Sequence, residues 1–176
     1  MILRSLSRED MPIILEWRNH KDVLPTLRTP FPLNIDQQME WYDKEICNRD
    51  SRTRFFGFED EYIEHNAIES VPRYGLIGYG GIENIQWENR TGEISLLVNP
   101  VLQRKGYGRK ATNAIIDYAF DSLNLDTIWG EVYCNNPAVA FWDKLVKEYG
   151  GIMTRIPRRK YHAGQYYDSM YFAVVR

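Results

Sequence analysis

Glu93-Ile-Ser-Leu-Leu-Val-Asn-Pro100 leads into Val101-Leu-Gln-Arg-Lys-Gly-Tyr-Gly-Arg109 and then into an apolar-periodic run that ends at Leu123. The reading of this stretch decides the fold. Ile94, Leu96 and Val98 alternate with Glu93, Ser95 and Leu97, the period of two that a pleated strand requires. Pro100 has no N–H for a ladder, so the strand stops there. Ala111, Ala114, Ile115, Tyr118 and Ala119 then recur at helical spacing, which predicts a helix with one apolar stripe.

The joint between strand and helix is Gln103-Arg-Lys-Gly-Tyr-Gly-Arg109. A helix start leaves its first N–H groups unbonded and carries the positive end of the macrodipole. Glycines remove the Cβ atoms that would keep a ligand from the backbone. Arg104, Lys105, Arg109 and Lys110 add positive charge. Such a joint suits a pyrophosphate. It is neither the lysine-serine nucleotide loop nor the dinucleotide fingerprint, because neither spacing is present.

Around this joint the chain has 176 residues, 44% of them hydrophobic, which predicts one domain with a full core. The net charge of -2 argues against general phosphate attraction, so a nucleic-acid partner is not expected. No apolar run reaches the roughly 20 residues that span a membrane. Cys47 and Cys134 stand far apart and outside any metal or redox spacing, so no metal is expected. Without a recognisable signal peptide, the expected compartment is a reducing cytoplasm.

In chain order, a short strand over residues 2–6 precedes a helix capped by Ser7 with Asp10, a capping-box pattern. Met11, Ile14 and Leu15 form its stripe, and Trp17, Arg18 and Asn19 close it. A proline-rich loop follows, and Asn34 with Gln37 opens a second helix that carries Met39, Tyr42 and Ile46 beside Trp41. Residues 53–58 and 74–82 read as strands around an acidic insertion at 59–73, the expected tip of a hairpin. The glycines at 75, 78, 80 and 81 predict a bulge or a close backbone approach in the returning strand. After the central helix come a strand at 127–134 and a helix with Asn136 as N-cap and Pro137 at its first position. Two last strands, 152–156 and 167–175, are joined through Pro157-Arg158-Arg159-Lys160. The order is β-α-α-β-β-β-α-β-α-β-β. It predicts an α/β (α+β) domain with a mixed, mostly antiparallel sheet of six to seven strands and helices on both faces.

Gln103, Gly106 and Gly108, behind a strand ending in Val-Asn-Pro100, resemble the acetyl-CoA loop of the GNAT superfamily of N-acyltransferases. Asn135, Ala138, Phe141 and Trp142 are similar to a second segment of that family, and the element order matches along nearly the whole chain. The resemblance implies the GNAT fold, with a splayed pair of central strands at 94–99 and 128–134. It implies acetyl-CoA as co-substrate, with pantetheine paired to Leu97, Val98 and Asn99, the pyrophosphate on N–H groups of Arg104, Lys105, Gly106, Tyr107, Gly108 and Arg109, and Gln103 among the cofactor-binding residues of the loop. Asn135 would reach pantetheine or acceptor. Where the family usually has a tyrosine acid, this chain has Trp142, which can pack on pantetheine but cannot donate a proton. Tyr149, Tyr133 or a water would replace it, or the thiolate would leave unassisted.

The implied reaction is attack of a neutral amine on the thioester, which needs a base or a proton path. Glu93 is the first candidate, because it opens the splayed strand, and Glu83 the second; His162 and Asp168 are weaker. The segments Leu-Glu-Trp-Arg-Asn at 15–19 and Met-Glu-Trp-Tyr at 39–42 are similar to enzymes that acetylate nucleotide-linked amino sugars, as in the pseudaminic-acid pathway. In that reading Arg18, Asn19 and Trp41 face the acceptor, and Arg158, Arg159 and Lys160 meet its phosphates. The layout also resembles ribosomal-protein N-terminal acetyltransferases, and other small amines stay open. A non-catalytic acyl-CoA-binding module is the reading from a different class. The expected partners are a small-molecule amine and, as a candidate, a second copy of the chain in a homodimer.

Overall fold

The computed structural model describes residues 1–60 and 75–176. Apart from Glu59 and Asp60, the expected insertion at 59–73 lies outside the described residues. Among the described residues seven strands form one sheet: β1 (Ile2–Ser5), β2 (Arg54–Glu59), β3 (Leu76–Gln86), β4 (Thr91–Val98), β5 (Thr127–Tyr133), β6 (Ile152–His162) and β7 (Gln165–Val175). Their order is β1-β2-β3-β4-β5-β7-β6. All neighbours run antiparallel except β4 and β5, which are parallel. The helices are α1 (Met11–Asn19), α2 (Ile35–Trp41), α3 (Tyr107–Asp117) and α4 (Val139–Glu148).

Each face of the sheet carries its own core. Leu76, Tyr79 and Leu97 pack with Met11, Ile14 and Trp17 on the α1–α2 side. Ile94, Val98, Ile128 and Val132 pack with Ala111, Ile115, Leu145 and Val146 on the α3–α4 side. Each fully buried side chain of this size contributes about 1.5–3 kcal/mol. Alternation along β4 follows directly. Ile94 and Val98 enter one core, so Glu93, Ser95 and Leu97 stand on the other face with α1 and α2.

The helix starts follow their sequence signals. The Ser7 N–H donates to Asp10 at 2.8 Å, and Asn34 exchanges two bonds with Gln37 at 2.9 and 3.0 Å. Ser7 opens a single 3₁₀ turn, Arg8–Asp10, before α1 proper. Buried Trp17 replaces half-buried Leu15 in the α1 stripe, and Thr112 and Ile116 join α3's stripe while Ala114 and Tyr118 are half-buried. The α4 helix starts at Val139, two residues after Pro137, because Asn136 Oδ1 accepts from the Ala138 N–H at 2.9 Å and holds a turn first. The glycines of β3 serve close approach. A Cβ on Gly78, Gly80 or Gly81 would stand 2.6, 2.4 or 2.0 Å from a backbone oxygen of a neighbouring strand.

Two strand boundaries differ from expectation. β3 runs to Gln86, with one extra residue between Glu83 and Gln86 that β4 does not match. Asn84 takes this bulge at φ 52. Pro157-Arg158-Arg159 do not link β6 to β7; they are a second bulge inside β6, with Arg158 at φ 53. The Arg158 N–H donates to Asp168 at 2.9 Å, which holds the chain in the sheet. The actual turn is Ala163-Gly164, both at positive φ as a two-residue hairpin turn requires.

β4 and β5 pair only at Thr91–Thr127, Gly92–Ile128 and Glu93–Trp129. Beyond Glu93 they part. β4 stays on β3 through Val98, and β5 stays on β7 through Tyr133. Two strand edges therefore face each other across a gap in the middle of the sheet.

Candidate active site

The gap has a groove on one side and a chamber on the other. Asn99 ends β4, its N–H donating to Ile77 O at 2.9 Å and its Oδ1 accepting from Val101 N–H at 3.1 Å. A short turn follows, and Gln103 Nε2 reaches back to the Val98 carbonyl at 3.2 Å. Arg104 at φ 61 and Gly106 at φ 87 bend the chain into α3. Among the described residues Gly106 caps that helix with no side-chain bond, and a Cβ there would meet nothing within 4 Å. Among the described residues no acceptor meets the N–H groups of Tyr107, Gly108 and Arg109. A groove of about 370 Å³ runs along this turn, lined by Gln103, Arg104, Gly106, Gly108 and Arg109 and reaching Trp142. Lys105 and Tyr107 do not line it, and the Arg109 guanidinium pairs with Glu148.

β4's hydrogen-bond alternation decides which groups face the gap. Asn99 bonds to Ile77, and the Leu97 and Ser95 carbonyls lean toward β3's glycines. Odd-numbered residues thus spend their backbone on β3, and Leu96 and Val98 turn theirs to the gap. The expected pairing of Leu97 and Asn99 with a ligand in the gap is corrected on this ground. Of the three residues expected there, only Val98 turns its backbone to the gap, with Leu96 beside it, while Leu97 contributes lining to both cavities.

The chamber, about 360 Å³, lies on the α1–α2 face. Trp41, Phe55 and Tyr79 form an aromatic wall, their ring centroids 5.9–6.3 Å apart. Glu83 and Glu93 are directly opposite on β3 and β4. Glu93 is 3% exposed; Asn84 Nδ2 donates to its Oε2 at 2.7 Å, and the Arg28 guanidinium pairs with its Oε1. Burial first, and the Glu93 charge second, push the Glu83 carboxyl above its ordinary value. Glu131, also in the lining, is paired with Arg159 at 3.0 Å; burial opposes ionisation there, but the guanidinium wins and the carboxyl titrates low. Arg18 lines the chamber, and its Nε is buried without a partner. Tyr133 lines the chamber too, with burial and then Glu131 pushing its hydroxyl up. Trp142, stacked on Phe172 at 4.6 Å, lines both cavities, as do Thr26, Leu27, Leu96, Leu97 and Asn136.

The site thus brings together Glu93, Glu83, Arg18, Trp41, Val98, Gln103, Arg104, Gly106, Gly108, Arg109 and Trp142. Asn19 is not at the chamber: it clamps both backbone groups of Leu33, at 2.8 and 3.0 Å. Asn135 lines neither cavity, its Nδ2 donating to the Pro25 carbonyl at 3.1 Å, and Asn136 lines both instead. Tyr149 faces Asn113 at 3.4 Å, away from both cavities. The basic run is also spent internally. Arg159 holds Glu131, Arg158 lies over the Tyr166 ring, and buried Lys160 donates to the Pro25 and Leu27 carbonyls at 2.6 and 2.8 Å. Arg28, Tyr79 and Glu131 were missed by sequence reasoning. Alternation from Tyr133 would have flagged Glu131; Arg28 sits in a loop with no period.

Unbonded amides at a helix start beside parted strand edges define a class: acyltransferases that take a pyrophosphate at the turn and an amide-bearing arm between strands. The donors present fit coenzyme A. A family model for the acetyltransferase (GNAT) domain matches residues 1–140, and the chain belongs to that family. Spermidine N(1)-acetyltransferase of Vibrio cholerae is 29% identical over 138 residues, 78% of this chain and 72% of that protein. Acetyltransferase PseH of Campylobacter jejuni is 26% identical over 131 residues, 74% of this chain and 71% of its own. The crystal structure of the Vibrio cholerae spermidine N-acetyltransferase with CoA and spermine superposes with a TM-score of 0.81 at 26% identity, covering 99% of this chain and 94% of that one. The chain is an N-acetyltransferase that uses acetyl-CoA. Among the described residues no helix is long and apolar enough to cross a membrane.

Proposed function

We propose that the enzyme acetylates the primary amine of a nucleotide-linked amino sugar, with Glu83 as base. The observation that carries the acceptor is the charge left over in the chamber. Glu93 is paired with Arg28 and Glu131 with Arg159, and Glu83 is pushed toward its neutral form. Among the described residues Arg18 has no carboxylate partner. A polyamine carries further ammonium groups that need unpaired carboxylates; a phosphate or sugar hydroxyl needs a donor such as a guanidinium. The aromatic wall suits a ring that stacks. The polyamine reading draws on the three glutamates of the lining and on the Vibrio relative.

Of the two glutamates, Glu93 has both oxygens engaged, so Glu83 is the better proton acceptor. In its ionised form a carboxylate of raised proton affinity takes the proton that the neutral amine gives up as its nitrogen attacks the thioester carbonyl, directly or through one water. The unpaired amides at Leu96 and Val98 face the place where carbonyl charge develops. Tyr133, held protonated, is the candidate acid for the sulfur. When bound, acetyl-CoA supplies an activated acyl group on a leaving thiol whose ordinary pKa is about 8.5, so weak acid help suffices. Gln103, Gly106 and the amides of residues 107–109 would hold its pyrophosphate.

The test is CoA release across a panel of nucleotide-linked amino sugars, spermidine and spermine, and N-terminal peptides. Turnover of the amino sugars above the rest supports the reading, and a preference for spermidine overturns it.

A further inference from the structure

We propose that Arg28 is a positioning residue that sets the proton affinity of the Glu83–Glu93 pair, and that Lys160 and Asn135 hold Arg28 in place. This rests on the reading of Glu83 as base. The two carboxylates are cross-strand partners in one register on one face of the sheet, and Glu93 is the charge that acts most strongly on Glu83. Glu93 is almost fully buried, and of its two partners among the described residues only Arg28 carries charge. Arg28 reaches Glu93 from the loop between α1 and α2, 65 residues away in sequence.

That loop is strapped to the opposite half of the sheet. Lys160 of β6 donates to both the Pro25 and Leu27 carbonyls, and Asn135, just past β5, donates to Pro25 as well. Lys160 is 5% exposed and forms no ion pair among the described residues, so two of its donors serve the loop backbone, with Tyr133 beneath at 4.9 Å. The strap holds the backbone up to Leu27, the residue before Arg28; Thr26 and Leu27 wall both cavities, and Thr29, just after Arg28, lines the chamber.

The charged and titratable groups around the pair are Arg28 from the loop, Arg18 from α1, Tyr79 from β3, Glu131 and Tyr133 from β5, Arg159 from β6 and Tyr171 from β7. Glu45, after α2, adds a weaker negative influence on Glu83. Arg159 is committed to Glu131, which leaves Arg28 as the cation bound to the pair itself. Removing it leaves two adjacent carboxylates that bind a proton more tightly.

The experiment is the pH profile of kcat/KM for Arg28→Gln, Arg28→Lys and Lys160→Met, against wild type with one acceptor. Arg28→Gln should move the acid limb alkaline by about one pH unit, while activity above the limb recovers toward wild type. Arg28→Lys should restore the limb, and Lys160→Met should move it in the same direction by less. An Arg28→Gln profile that keeps its midpoint and is merely scaled down overturns the proposal. If that variant does not fold, an unmoved midpoint in Lys160→Met overturns it. Glu83→Gln separates the two ideas: wild-type turnover there removes the base itself, whereas lost turnover with an unmoved Arg28→Gln midpoint removes only the role of Arg28.

Discussion

The groove and the chamber share Leu96, Leu97 and Trp142, yet they are made of different material. The groove offers backbone: amides at the start of α3 that are unbonded among the described residues, the parted strand edge at Leu96 and Val98, and glycines that add no side chain. The chamber adds charged side chains, of which Glu93 is matched by Arg28 and Glu131 by Arg159, each from a distant element, while Arg18 and Glu83 are left for the acceptor. A backbone site recognises groups common to every molecule of one co-substrate, and it tolerates change in most of its side chains. A side-chain site can be re-addressed one residue at a time. The difference teaches where generality and specificity sit in this enzyme.

The harshest way to break the comparison is Gly106→Glu. At φ 87 any side chain is strained, and a carboxylate beside the amides repels phosphate. Calorimetry should find acetyl-CoA affinity at least about 100-fold weaker; intact affinity would falsify the amide turn as the pyrophosphate site. Next comes Glu83→Gln on the chamber side, expected to lower kcat/KM by about 10²–10³-fold and to remove the acid limb of its pH profile. Wild type should gain activity as pH rises through the raised Glu83 value, since only the ionised carboxylate accepts a proton. A Gln variant with the same limb would assign the proton to another group. Arg18→Met should raise KM for a nucleotide-linked amino sugar about 10–100-fold and leave acetyl-CoA affinity alone. Equal loss for a small uncharged amine would show that Arg18 only supports the fold. The smallest effect belongs to Tyr133→Phe, about tenfold or less in kcat, because a thiolate leaves with little help. A solvent isotope effect on kcat that is unchanged in this variant would remove Tyr133 as the acid.

The same contrast explains what the sequence disclosed. The turn at 103–109, the Ser7 and Asn34 caps and the element order are written in neighbouring residues, and spacing alone exposes them. The gap could be anticipated only by resemblance, because parting is a relation between β4 and β5, not a property of either. Asn19 and Asn135 stood in suggestive places but were claimed by the Leu33 and Pro25 backbones, 14 and 110 residues away. Glu93 looked the better base because it opens the strand. What demoted it was Arg28, which no local pattern connects to β4.

The bulge at Asn84 sits immediately after Glu83 and returns its amide to Glu93. Side chains on a strand switch faces with every residue, so a one-residue slip between β3 and β4 would bury Glu83 on the α3 side and strip Glu93 of its neighbour. The hairpin tip at residues 87–90 touches neither cavity. Its length is nonetheless fixed by the chemistry, so descendants of this enzyme should vary the letters of that tip freely while never changing how many there are.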